Sequence, residues 1–135
     1  MNKPLIHGLT MFVLMTATAF AGQTITARIP FAFHVGDSIL SSGSYMADTN
    51  VAPGVLRLRS ADGKSAAMVL SHAVQSSAGL QIAKFVFKRY GDEYFLRQVW
   101  TIGSNAGREL PPSRLERELA KAADSSRTIL VAGDR

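Results

Sequence analysis

From Ile25 to Val35 the apolar residues fall on every second position. Ile25, Ala27, Ile29, Phe31, Phe33 and Val35 alternate with Thr24, Thr26, Arg28, Pro30, Ala32 and His34. A period of two marks a strand that buries one face, because successive side chains point to opposite sides of a sheet. Pro30 has no N–H to give to a ladder, so the strand is expected at an edge, or bulged at that residue. The same period governs most of the chain as far as Trp100. Gly36-Asp37 turns the chain, a shorter strand runs from about Ser44 to Asp48, and Asn50 to Gly54 reads as a loop. Val55 to Ser60 and Ser65 to Val74 flank Asp62-Gly63, a dipeptide suited to the positive φ of a hairpin turn. Ser76 to Gly79 reads as a further loop.

The next hairpin can be placed in register. With Gly91-Asp92 as a two-residue turn, Tyr90 faces Glu93, Phe87 faces Leu96, Phe85 faces Gln98 and Ala83 faces Trp100. Paired residues share a face, so Phe85, Phe87, Leu96 and Trp100 form one apolar patch. The opposite face mixes Lys84, Val86, Lys88, Phe95, Arg97 and Val99. A slip of one residue would exchange the two sets. Beyond Trp100 the pattern changes. Ser113-Arg114-Leu115-Glu116 has the spacing of a capping box, and Leu115, Leu119 and Ala122 follow at helical intervals. One helix near 113–124 is expected, laid over a sheet face or barrel mouth through Leu115 and Leu119. Arg127 to Ala132 reads as a closing strand. Six or seven antiparallel strands and one late helix predict a mainly β chain: a single antiparallel sandwich or a partly open small barrel.

The first twenty-one residues have a different character. Lys3 is followed by an uncharged run from Gly8 to Phe20, and Ala19-Phe20-Ala21 offers the small-x-small pattern of a signal-peptidase site. Residues 1–21 are read as a signal peptide cleaved between Ala21 and Gly22. The run is shorter than the ~20 apolar residues of a membrane span and is broken by threonines. Removing it from the 135-residue chain leaves 114 residues, enough for one β-rich domain over 22–135 with its own core. The expected destination is the periplasm or the exterior of a bacterial cell, with nothing spanning the membrane after cleavage.

Composition narrows the chemistry. The chain has no cysteine, which removes disulfides, thiolate metal sites, a cysteine nucleophile and a lipoprotein anchor together. Loss of Lys3 lowers the formal net charge from +5 to +4. That mild excess suits anionic envelope components, such as polysaccharide or phospholipid headgroups, and no dense basic run marks a nucleic-acid binder.

Ile29-Pro30-Phe31-x-Phe33-x-Val35-Gly36, then Leu40 and Gly43-x-Tyr45, resemble the start of a family of small exported bacterial proteins, in which a "PF-x-F-x-x-G … L-P-A-G-x-Y" stretch follows the signal peptide. Leu58 to Gly63, Phe87 to Leu96, Val99-Trp100, Gly107 to Pro111 and Arg114 to Ala120 extend the resemblance over nearly the whole mature chain. Ser41-Ser42 stands where the family pattern has Pro-Ala. The resemblance implies export and one compact β-rich domain; it transfers no activity and no functional residues.

Gly36-Asp37-Ser38-Ile39 is close to the Gly-Asp-Ser-Leu box of a large esterase family. The Asp-x-x-His that would complete such a site is missing, so the string reads as a turn. His34 and His72 make too small a set for a zinc shell, and Asp92-Glu93 reads as a hairpin tip. No catalytic residue, metal ligand or cofactor is expected. The leading expectation is a non-catalytic binding or structural module of the cell envelope. Lys84, Lys88, Phe95 and Arg97 are its candidate partner face, with cations and aromatic groups interleaved. The alternative is a carrier of a small apolar ligand, its cavity lined by Phe31, Phe33, Phe85, Phe87 and Trp100. A small hydrolase using Ser38 is the remote third.

Overall fold

A computed structural model describes residues 24–77, 79, 82–123 and 125–134. The expected signal peptide, with its expected cleavage between Ala21 and Gly22, lies outside the described residues. The strands are β1 (Thr24–Ile29), β2 (Phe33–Val35), β3 (Ser38–Leu40), β4 (Gly43–Asp48), β5 (Val55–Ser60), β6 (Ala66–Leu70), β7 (His72–Gln75), β8 (Lys84–Tyr90), β9 (Glu93–Trp100), β10 (Ala106–Glu109) and β11 (Arg127–Ala132). One helix, α1 (Arg114–Ala122), precedes β11. They form a four-stranded sheet, ordered β1-β4-β5-β6, and a seven-stranded sheet along the path β11-β8-β9-β10-β7, with β2 on β9 and β3 on β2. The sheets do not close into a barrel. The mainly β class and the late helix agree with the alternation and the capping box, but six or seven strands is an undercount.

The extra strands come from places where one apolar run serves both sheets. The run from Thr24 to Val35 is broken at Pro30: β1 belongs to the four-stranded sheet, and β2 to the seven-stranded one. Pro30 therefore marks the crossing between sheets, where the missing N–H costs no ladder bond. The second long run breaks at Ser71, between β6 in one sheet and β7 in the other. There the Ser71 N–H donates to Gly54 O at 2.8 Å, and Arg108 Nε and Nη2 donate to Ser71 Oγ and O at 2.9 and 2.6 Å.

The core lies between the sheets. Ile25, Ala27, Ile29, Tyr45, Ala47, Leu56 and Leu58 face it from one side; Phe33, Phe85, Phe87, Leu96 and Val99 face it from the other. Phe33 joins the two halves, edge-on to Tyr45 at 5.1 Å and to Phe87 at 5.4 Å. Burying a side chain of this size is worth about 1.5–3 kcal/mol, so these rings dominate cohesion.

The β8–β9 hairpin begins in the expected register, with Tyr90 opposite Glu93 and Phe87 opposite Leu96. A bulge then shifts it, so that Val86 faces Gln98, Phe85 faces Val99 and Lys84 faces Trp100. The extra residue on β9 turns Val99 into the core and Trp100 onto the outer face, the reverse of the regular alternation. Arg97 and Gln98 both lie on that outer side.

The helix begins as its sequence predicts, with Ser113 Oγ accepting the Glu116 N–H at 3.2 Å. Its docking differs from expectation. Leu115 is 42% exposed, whereas Glu116 is 3% exposed and is the buried residue of the helix. Glu116 does not complete the capping box; it turns down to Arg97, and the helix is held to the sheet by charge.

Candidate binding surfaces

The outer face of the seven-stranded sheet carries the predicted partner residues, and the fold uses most of them internally. Phe95 is 2% exposed, stacked under the His34 ring at 4.4 Å and met edge-on by Tyr90 at 5.9 Å. Arg97 donates through Nη2 to Glu116 Oε1 and through Nη1 to Leu110 O at 3.2 Å. Tyr90 Oη donates to the same Glu116 oxygen at 3.4 Å. Burial and then the Glu116 charge raise the Tyr90 phenol above its ordinary value, against the opposing pull of Arg97. Lys88 Nζ donates to Thr128 Oγ1 at 3.0 Å, and Lys84 Nζ lies 5.8 Å from the Trp100 ring centre. The four residues share a face as predicted, but Phe95 and Arg97 are committed to closing it.

A second polar chain crosses the same face. Trp100 Nε1 donates to Gln98 Oε1 at 3.0 Å, and Gln98 Nε2 donates to Glu109 Oε1 at 3.1 Å. His72 Nε2 is paired with Glu109 Oε2 at 2.9 Å. Burial alone would raise the Glu109 carboxyl. The hydrogen bonds from Gln98 and His72, with the charges of His72 and Arg97, outweigh it and hold the group below its ordinary value. His34 Nε2 is paired separately, with Glu93 Oε2 at 2.5 Å. His34 and His72 thus sit in different pairs, and no group of three metal-binding side chains occurs among the described residues. Gly36-Asp37 forms the turn between β2 and β3, with Gly36 at φ 57°.

The proposed ligand-lining residues are not brought to one cavity. Phe33, Phe85 and Phe87 are at most 1% exposed and lie within the core. Phe31 caps them, edge-on to Phe87 at 5.0 Å and stacked on Tyr94 at 3.9 Å. Trp100 is on the far side of the sheet, over Gly107.

The outer face of the four-stranded sheet was not singled out from sequence, and it is the open one. Its side chains lie in cross-strand rows: Thr24, Asp48, Arg57 and Met68; Thr26, Met46, Arg59 and Ala66; Arg28 and Ser44; Val55 and Leu70. None of these is buried, whereas the outer face of the larger sheet buries Phe95, Val86 and Trp100. Arg57 Nη2 is paired with Asp48 Oδ2 at 3.0 Å; among the described residues, Arg28 and Arg59 have no acidic partner. Strand spacing puts Arg28 and Arg59 about 12 Å apart, two strands and two residues removed. Met68 and Leu70, 59% and 74% exposed, complete the surface beside them. The signal for it was present. Pairing the strands on either side of Asp62-Gly63 sets Arg57 against Met68 and Arg59 against Ala66. At that turn, Asp62 is held below its ordinary value by the Ser60 hydroxyl and the Lys64 N–H.

Comparison with family models, with curated proteins and with solved structures finds no match.

Proposed function

We propose that this protein is an exported, non-catalytic binding module of the bacterial cell envelope, and that the outer face of its four-stranded sheet rests on an anionic membrane surface. The observation that carries this reading is the set Arg28, Arg57 and Arg59 with Met68 and Leu70 on a sheet face that no described element covers, with Asp48 the one acid in its cross-strand rows. Arginines on such a surface meet phosphate oxygens, while the adjacent methionine and leucine reach the acyl boundary. The packed phenylalanines support surface binding over carriage of an apolar ligand.

The test is co-sedimentation with phosphatidylglycerol vesicles against phosphatidylcholine vesicles, at low and high salt. Each basic residue near an anionic leaflet is worth about 1 kcal/mol. The double variant R28Q/R59Q is therefore expected to bind about 30-fold more weakly, and 0.5 M salt to weaken the parent protein similarly. Equal binding to both vesicle types, or no loss in the double variant, overturns the reading. Selective capture by an acidic polysaccharide would reassign the partner. Export is tested separately: the mass of the native product should correspond to a chain starting at Gly22.

A further inference from the structure

The seven-stranded sheet sets two arginines directly opposite one another, Arg89 on β8 and Arg127 on β11. Like charges at directly opposed positions destabilise an antiparallel pair. No described residue neutralises them well. Asp92 Oδ1 is 3.9 Å from Arg89 Nη2, but its side chain is fully solvated. Arg127 has no acidic partner among the described residues and is exposed. The same two arginines, with Gly91 and Ser125, line a polar cleft of about 270 Å³.

Arg89 is held in place. Its Nε donates to Gly91 O at 2.6 Å, and its guanidinium carbon lies 5.4 Å from the centre of the Tyr94 ring. Tyr94 is itself stacked on Phe31. Gly91 can present its carbonyl because its φ of 60° suits the tight turn. A guanidinium fixed at Nε and supported on an aromatic face keeps its terminal N–H groups available, in a planar fork that matches a tetrahedral oxyanion. Arg127 offers a second fork across the cleft, and Ser125 a hydroxyl.

The geometry points to an oxyanion site at Arg89, Arg127 and Ser125, for a phosphate or sulfate group bridging the two guanidiniums. It lies on the other sheet from Arg28 and Arg59 and goes beyond the membrane-surface reading. The bound group supplies the missing negative charge between β8 and β11, so binding and stability are linked.

The experiment titrates the protein with inorganic phosphate, following melting temperature and arginine side-chain NMR resonances, with sodium chloride at matched ionic strength as control. Phosphate should raise the melting temperature along a saturating curve and shift the Arg89 and Arg127 resonances, whereas chloride should not. R127Q should lose at least tenfold in apparent affinity, R127K should fall between, and R117Q, on the exposed side of the helix and away from the cleft, should bind as the parent does. Without phosphate, R127Q should melt no lower than the parent, because the substitution removes a like-charge pair. Glycerol 3-phosphate distinguishes sources: tighter binding than inorganic phosphate assigns an esterified group, and weaker binding assigns the free ion. A response reproduced by chloride, or one unchanged in R127Q and R127K, overturns the proposal.

Discussion

Replacing Glu116 by Gln tests the claim that charge, not apolar packing, fastens α1 to the sheet. The side chains of Arg97 and Glu116 are 14% and 4% exposed, so the pair is largely removed from water. Removing one member of such a pair leaves the other buried and uncompensated, at a cost of about 3–5 kcal/mol. The Gln amide oxygen can still accept from Arg97, and Leu110 O still takes one of its N–H groups; the lower bound is therefore expected, about 3 kcal/mol. Unfolding entropy is about 2.1 cal/mol/K per residue, so at this chain length each kcal/mol shifts the melting temperature by about 4 °C. The expected drop is about 12 °C by differential scanning calorimetry. Leu115 is exposed and Leu119 half-buried, so little else fastens the helix. Amide exchange over Leu115 to Lys121 should rise more than exchange in β8 or β9. The double variant R97M/E116L, which leaves no stranded charge, should recover most of the loss. If E116Q melted within about 3 °C of the parent, or the double variant fell further than E116Q, charge-based docking would be refuted.

Two further perturbations probe the same outer face. A Cβ at Gly107 would lie 2.7 Å from the Trp100 ring and 2.9 Å from Val99 O. Since backbone cannot yield cheaply, Gly107→Ala should cost about 2 kcal/mol and red-shift Trp100 emission; an unchanged melting curve and spectrum would show that the ring has room. Glu109 titrates below the ordinary glutamate value in the folded state. Its contribution to stability is thus present above that ordinary value and lost as pH falls through the lower folded one. Gln98→Leu removes one cause of the depression, so the gap in melting temperature between parent and variant should narrow from pH 7 to pH 3; a constant gap would contradict the assignment.

What the sequence revealed depended on how local the determining interactions are. The turns at Gly63 and Gly91 and the helix start at Ser113 are each decided within a few residues, and all three stand in the structure. The sheet crossings at Pro30 and Ser71 are not local: an alternating run looks the same whether its two halves pair in one sheet or in two. The β9 bulge is silent for a related reason. Nothing in Leu96-Arg97-Gln98-Val99 announces that one of its residues is extra, yet that insertion moves Trp100 from one face to the other. The buried Glu116 escaped because carboxylates at a helix start normally serve the backbone. Its true partner, Arg97, is nineteen residues away on another element, beyond the reach of any local pattern. The open arginine face emerges only from the register of β5 and β6, which sets Arg57 against Met68 and Arg59 against Ala66.

The crossing at Pro30 also bears on how the chain can be made. β2 leaves the N-terminal sheet and pairs with β9, His34 meeting Phe95, and the core's opposing residues Phe85, Phe87, Leu96 and Val99 arrive only with β8 and β9. A ribosome releasing this polypeptide from its N-terminus therefore delivers a four-stranded sheet with a bare greasy side, long before its cover exists. Folding must wait until about a hundred residues have emerged, and a chain that stays open so late is well suited to being threaded through a translocation pore.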